Sequence, residues 1–440
     1  MKRSLFLIST VFAISSCAGL KVSDQIESSD IHKGTSIVVL DPYERVEWHT
    51  FQQHKSALHL HTLQSDGHHM PEEVIGAYRE AGYSILAITD HDWNEPNRRI
   101  VGRGWGPLPE EKASPYPKDP KPENYPANPT WPWSDYGAPS PADQGMVGIQ
   151  ASELTYKHHI NSYYNNYGIW HGNPGDKIGR QAPYKITDSD GNEISEDDQL
   201  TAVKNKGGLA ILNHPGASDD HSWWERKSLQ WYIDRYRIHS PNCLIGIEVT
   251  NGEAKFNEGL WDQLLTRFMP SRPIWGFGND DMHTLEVKQT YNVFLLPELT
   301  DSSVREAMET GQFFMYTSTK NVNYLEDPLG LSTFPEIKEI IVDEDSGTIT
   351  IHASGYDQIK WISAPQSLEP LKDYKTSESP WPLGQVVHVG KTLDIKSNSK
   401  LRNYVRAEII VKEGDHMNRI LTNPFGIINN AETLSSTAVD

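Results

Sequence analysis

The sequence predicts an α/β chain: a barrel of parallel strands followed by a small antiparallel β domain. Three observations predict it. Short apolar runs, each ending in polar residues able to bind a metal, recur six times between His59 and His283. Helical stretches lie between several of them. From about Leu331 the pattern changes to alternating apolar and polar residues with turn signals between the runs, which marks antiparallel strands.

The N-terminal segment "MKRSLFLISTVFAISSC" has a basic start (Lys2, Arg3), an apolar stretch from Leu5 to Ile14, and small residues before Cys17. That order is a secretory signal, expected over residues 1–16 and excluded from fold reasoning. "ISSC" resembles a bacterial lipobox, which makes Cys17 the lipidated first residue of the mature chain. Residues 17–45 are then a lipidated N-terminus and tether. Ala18 after the cysteine points to the outer membrane. The expected place is the bacterial cell envelope, periplasmic or surface facing, with the membrane touched by the lipid anchor only. Cys243 is the other cysteine of two, so the lipidated chain has no intramolecular disulfide despite an oxidising compartment.

The barrel is expected over residues 46–325. "ALHLHT" ends in His59 and His61, "SILAITDHD" in Asp90 and His91, and "MVGIQASE" in Glu153. "GLAILNHP" ends in His214, "LIGIEVTNGE" carries Glu248 at its tip, and "PIWGFGNDDMH" ends in Asp281 and His283. Buried runs this short read as parallel strands. Between them, "PEEVIGAYREAG" has Pro71 in a first turn and Gly82 as a stop. "SEDDQLTAVKNKGG" spaces Ser195 and Asp198 as a capping box. "EGLWDQLLTRFM" and "DSSVREAMETG" are the remaining helices. Polar residues at the C-terminal ends of strands favour a barrel over a doubly wound sheet, because that face carries the chemistry of barrel enzymes.

Two insertions interrupt the alternation, at about 94–145 and 161–194. The first is rich in Pro, Gly and Trp and reads as an ordered loop over the site mouth. Trp131 and Trp133 either line that mouth or pack within the loop. Beyond the barrel, "EIKEIIVDEDSGTITIHASG", "QIKWISA", "VVHVGKTLDIKS" and "YVRAEIIVKEG" predict an all-β, sandwich-like domain over 331–430.

Composition narrows the function. Hydrophobic residues make up 37% of the chain, enough for a folded core. The net charge is −19, and removal of the signal takes two basic residues and no acidic one. Such a surface argues against nucleic acid as a partner.

His59 and His61 are two apart on a strand, so both side chains face one side. Asp66, His91, Glu153, His159, His214, Asp281 and His283 also fall at or just beyond strand ends. The set is N/O throughout, with no thiolate. Converging carboxylates repel by roughly 4 kcal/mol per pair at 4 Å and an effective dielectric of about 20, and divalent ions reverse that. So many ligands exceed one tetrahedral zinc and suit a cluster with a bridging carboxylate. Glu248 either supports such ligands or pairs with a basic residue.

The ordered motifs "HLHTLQSDG", "ITDHD", "GIQASEL" with "HHI", "GLAILNHP" and "GNDDMH" resemble the PHP (polymerase and histidinol phosphatase) domain family over about residues 55–320. The resemblance implies a distorted (β/α)7 barrel with two or three divalent ions of zinc, manganese or iron. It implies metal ligands at His59, His61, Asp66, His91, Glu153, His159, His214, Asp281 and His283, with His158 the alternative to His159. Asp281, two before His283, is then the ligand and Asp280 lies behind it. Barrel and β-domain together are similar to the secreted, carbaryl-hydrolase-like branch, which includes hydrolysis of bonds other than phosphate esters.

The expected function is a metal-dependent hydrolase in which water activated between ions attacks a phosphomonoester or phosphodiester, small or glycan-linked. His91, His214 and Asp281 are placed at the reacting centre. Arg103, Lys157, His158 and His221 are candidates for binding substrate and protonating the leaving group, although each taken singly reads first as a surface or supporting residue. The alternatives are a carbamate, carboxyl ester or amide hydrolase at the same site, and a surface binding protein without turnover.

Overall fold

The computed structural model describes residues 36–63, 65, 67–91, 131–136, 138–155, 158–167, 179–181, 185–187, 194–215, 227–251, 257–327, 332–370 and 380–429. Cys17, Asp66, Arg103, Lys157 and His221 lie outside the described residues, as does most of the two insertions.

The chain opens with β1 (Ser36–Leu40), β2 (Gln52–Leu60), α1 (Pro71–Glu80), β3 (Ile85–Ile88), β4 (Val147–Gly148), β5 (Ala151–Thr155) and β6 (His159–Tyr163). A two-stranded ribbon, β7 (Gly179–Gln181) and β8 (Lys185–Thr187), follows. Next come α2 (Glu196–Asn205), β9 (Leu209–Leu212), α3 (Leu229–Ile238), β10 (Leu244–Asn251), α4 (Asn257–Phe268), β11 (Trp275–Asn279), β12 (Glu286–Leu296), α5 (Asp301–Thr310) and β13 (Phe313–Asn323). From there every described element is a strand: β14 (Glu336–Asp343), β15 (Thr348–Ser354), β16 (Gln358–Ser363), β17 (Gln385–Val389), β18 (Thr392–Asp394), β19 (Tyr404–Glu413), β20 (His416–Thr422) and β21 (Phe425–Asn429).

Local chemistry accounts for the helices. Ser195 accepts the Asp198 N–H while the Asp198 side chain accepts the Ser195 N–H, closing a capping box on α2. Pro71 opens α1, and Gly82 follows it at φ +83°, a conformation open to glycine without strain. Ser228 caps α3 through the Trp231 N–H.

The result is a mixed, sheet-rich α/β fold with few helices; of the distorted (β/α)7 barrel expected, it shows the alternating parallel strands but no clear barrel. β2–β3, β3–β4, β9–β10 and β10–β11 pair parallel. β6 breaks the series, lying antiparallel between β5 and β9. Its link to β5, residues 156–158, is too short for the crossover a parallel pair needs. β12 likewise returns antiparallel along β2 after the short segment 280–285.

The largest sheet runs β1-β21-β19-β20-β13-β12-β2-β3-β4, with β16 and β17 branching from β19; a second runs β11-β10-β9-β6-β5, and β14-β15-β18 form a small third one in addition to the β7-β8 ribbon. The two large sheets meet through parallel bridges, Leu60 to Met282 and His91 to Glu153. Both bridges involve residues of the polar motifs, so the sheets converge where those motifs are. The C-terminal strands share the main core: Ile337, Ile349, Ile351 and Trp361 belong to the same buried cluster as Leu60, Leu86 and Ile88.

Candidate metal centre

Two register shifts aim the central side chains. β2 slips against β3 between Ala57 and Leu60, and β10 slips against β11 between Glu248 and Thr250. Such irregularities redirect a side chain off the regular alternation. They flank His59 and Glu248, which meet at 2.6 Å between His59 Nδ1 and Glu248 Oε1.

The turn after β2 is braced by Asp90. Its carboxylate accepts the Thr62 N–H at 2.7 Å, the Thr62 hydroxyl at 2.6 Å and the Ser65 hydroxyl at 2.6 Å. Gly67 closes the turn with its N–H on the Thr62 carbonyl at 2.9 Å. A Cβ at position 67 would run into the main chain of His61 and Thr62.

Glu153 sits at the hub. Its Oε1 lies 3.1 Å from His159 Nδ1, 3.1 Å from His214 Nε2 and 3.3 Å from His59 Nε2. Its Oε2 lies 3.1 Å from His91 Nδ1 and 3.2 Å from His61 Nε2. Across from it, Asp281 Oδ1 is 3.2 Å from both His59 Nε2 and His61 Nε2, and 3.8 Å from His283 Nδ1. The His61 and His283 rings stack with centroids 4.3 Å apart.

Two residues of the cluster hold unusual backbone. His214 has φ +22° and Asp281 φ +51°, strained for residues with a Cβ. His214 is kept there by its N–H on Glu248 Oε2 at 2.7 Å. Asp281 is held beside β2, where the His61 N–H meets the Met282 carbonyl at 2.8 Å.

These residues fit a metal cluster. Four overlapping groups can each hold an ion: His59–Glu153–His214, His59–His61–Asp281, His91–Glu153–His159 and His61–His91–His283. A carboxylate offers about four lone-pair sites. Five imidazoles and the Asn213 amide, at 2.7 Å, converge on the single carboxylate of Glu153. Ions between oxygen and nitrogen resolve that excess, and donors sharing an ion at about 2.0–2.1 Å in tetrahedral array stand roughly 3.3 Å apart. His59 Nε2 is buried and makes no hydrogen bond, which leaves it facing Glu153 and Asp281 as a ligand would.

Electrostatics point the same way. Burial alone would raise the Glu153 carboxyl, but His59, His159 and His91 overcome it and hold the acid well below its ordinary range. Asp281 is likewise pushed up by burial and held well down by its histidines, His59 first. Burial would lower His59, yet Asp281, Glu153 and Glu248 hold it well above its usual value. His159 goes the other way: burial takes it down to about 4 against the pull of Glu153. Loading an ion therefore displaces a proton from His59.

The structure brings together His59, His61, His91, Glu153, His159, His214, Asp281 and His283. His158 is not among them. Its ring packs edge-on against Trp231 and Tyr232, at 5.0 and 5.5 Å, while His159 meets Glu153. Asp280 turns away from Asp281 to accept the Tyr78 hydroxyl at 2.6 Å and the Thr290 N–H at 3.2 Å. Trp133 is buried in the main core, with Trp131 packed against that core. Asp90, which the sequence puts among the metal-competent strand ends, serves as the brace of the turn; the supporting amides of Asn213, Asn251 and Asn279 and the Thr155 hydroxyl on His91 Nδ1 at 2.6 Å are additions that sequence reasoning did not single out. Each lies in or beside a strand-end motif, which is the signal that would find them.

No protein-family model matches the chain, and no curated protein does. Among solved structures, the chain is similar to a two-domain protein from Bacteroides vulgatus containing a predicted PHP-like metal-dependent phosphoesterase. That match has 16% identity and a TM-score of 0.44, and covers 87% of this chain and 95% of the other. A candidate metal-dependent phosphoesterase from Bifidobacterium adolescentis matches at 16% identity and a TM-score of 0.34, covering 58% of this chain and 96% of the other. An amidohydrolase from Chromobacterium violaceum, with bound sulfate and no metal, matches at 14% identity and a TM-score of 0.31, covering 52% and 87%.

Proposed function

We propose that this chain is a metal-dependent hydrolase of the PHP kind that cleaves phosphate esters. The observation that carries the reading is the convergence of five imidazoles on the two oxygens of Glu153. Two or three divalent ions held there supply Lewis acidity, lower the pKa of water to about 7 and outweigh the charge of Glu153, Glu248 and Asp281, which favours an anionic ester. Glu153 and Asp281, with the histidines around them, are the residues that would hold the ions. His59, Glu153 and Glu248 are fully buried, whereas the Asp281 and His283 side chains are 17% and 38% exposed. Substrate therefore enters from the Asp281–His283 side, with the Glu153 side as the dry floor.

The test is turnover by the purified, metal-loaded chain on aryl phosphate mono- and diesters beside aryl carboxyl esters and carbamates, with and without chelator. Phosphate turnover lost on chelation is expected. Inert phosphates with a hydrolysed ester or carbamate reject the phosphoesterase reading and leave a hydrolase. No turnover of any kind by a metal-loaded chain leaves a binding protein. We also propose that Cys17 carries a lipid in the bacterial envelope; Cys17→Ala is expected to release the chain from membranes, and membrane retention would reject the anchor.

A further inference from the structure

We propose that Glu248 is a positioning residue for one side of the metal centre, so that the ions there owe their affinity to a carboxylate that does not ligate them. The inference rests on reading the cluster as a metal centre.

Glu248 lies on β10, fully buried. Four donors reach its two oxygens. His59 Nδ1 is at 2.6 Å and the Asn279 amide at 2.8 Å on Oε1; the His214 N–H is at 2.7 Å and the Asn251 amide at 3.1 Å on Oε2. That fills the roughly four lone-pair sites of a carboxylate, so none remains for an ion.

Each contact has a consequence for a ligand. The bond to His59 Nδ1 fixes the tautomer and leaves Nε2 as the ligating nitrogen. The bond to the His214 N–H holds that residue at φ +22°. The Asn251 amide also lies 3.3 Å from Asp281 Oδ2, so it ties Glu248 to Asp281. Carboxylates placed behind metal-bound histidines raise ligand basicity and lock ring orientation, and losing one typically costs about 10–100-fold in metal affinity.

The reach of Glu248 is one-sided. It touches residues of His59–Glu153–His214 and His59–His61–Asp281. It touches none of His61, His91 and His283, nor His91, Glu153 and His159 directly. Removing its charge therefore weakens the first two groups selectively.

The experiment uses cobalt(II) alone, titrated into the purified chain, with visible spectra and elemental analysis after dialysis as readouts. Wild type is expected to retain cobalt. Glu248→Gln is expected to bind one subset of ions about 10–100-fold more weakly while the remaining ions titrate as in wild type. A Glu248→Gln titration matching wild type overturns the inference and leaves the metal centre standing. Uniform weakening of every ion, in a metal-free protein whose unfolding is unchanged, overturns it too. A wild type that binds no cobalt rejects the metal centre itself. Should Glu248→Gln fail to fold, Asn251→Ala decides: it removes one donor to Glu248 Oε2 together with the bridge to Asp281 Oδ2, and cobalt binding unchanged at the His59–His61–Asp281 group overturns the inference.

Discussion

Arg406 closes a two-pronged pair on Asp262: Nε reaches Oδ1 and Nη2 reaches Oδ2, each at 2.9 Å, with both side chains buried. The pair joins α4, which packs behind the strands of the site, to β19 in the C-terminal strands. The Tyr404 hydroxyl at 2.9 Å and the Gly384 N–H at 2.7 Å donate to the same carboxylate. Asp262→Asn leaves a buried guanidinium without its nearest charge. The expected loss is about 3–5 kcal/mol of unfolding free energy, and adding Arg406→Met recovers much of it, because an apolar replacement of the whole pair removes the uncompensated charge. Denaturant unfolding of the three variants measures both. A loss under about 1 kcal/mol, the level of an exposed pair, rejects this joint.

Glu258, one turn earlier on α4, predicts how the same joint responds to acid. Its Oε1 is 2.8 Å from Arg419 Nη2 and its Oε2 is 3.7 Å from Arg406 Nη2. Burial would raise this carboxyl, but Arg419 and then Arg406 hold it below its ordinary 4.5. A carboxyl with a depressed folded pKa binds fewer protons folded than unfolded below that ordinary value. Its stabilisation is present above about pH 4.5–5 and is lost as pH falls through the depressed value. Glu258→Gln removes the charge at every pH and should flatten this part of the acid limb. Unfolding free energies from pH 3 to 6 check it; an unchanged slope rejects the assignment.

Reading such features from sequence works where the signal is local. The apolar run before His59 and His61 and the capping box of Ser195 and Asp198 need only neighbouring residues. α3 is harder. Leu229, Tyr232, Ile233 and Tyr236 keep helical spacing and are all buried, but Trp231, two tyrosines and two isoleucines make a weak helix former. The antiparallel turn of β6 depends on a short link, and the pairing of β13 with β20 joins residues about a hundred positions apart. Neither leaves a mark in hydrophobic pattern, so the barrel expected from alternation becomes a mixed sheet. The His59–Glu248 contact has the same character: His59 stands near the end of β2, but Glu248 lies inside β10 rather than at the strand tip the sequence suggests, and their meeting needs two register shifts.

Glu153→Gln tests the hub. The amide keeps the shape and loses the charge that five imidazoles face. Ions held through that carboxylate would then lose a shared ligand. We expect kcat/KM to fall by about 10³-fold or more, roughly 4 kcal/mol, with fewer cobalt ions retained on dialysis. Unchanged folding of the metal-free chain, read by circular dichroism, separates this from a packing defect. Turnover within a fewfold of wild type would reject Glu153 as the centre of the reaction.

Gly67→Ala asks whether close backbone approach, rather than ligand chemistry, sets the position of His61. The added methyl meets the main chain of His61 and Thr62, while the Gly67 N–H is already bonded to the Thr62 carbonyl at 2.9 Å. The turn cannot open without breaking that bond, and it cannot shift freely because Asp90 holds Thr62 and Ser65. The strain is therefore passed to His61, whose Nε2 faces both Glu153 and Asp281. A misplacement of about 1 Å at a reacting centre costs about 10²-fold in rate, and a loss of that order is expected with the fold retained. Gly76→Ala is the matched control. Gly76 lies in α1, where a new Cβ meets nothing within 4 Å, so the change should leave turnover alone and stabilise the helix by about 1 kcal/mol. Equal turnover in the two variants would show that the turn yields to the methyl, and that Gly67 does not set the geometry of His61.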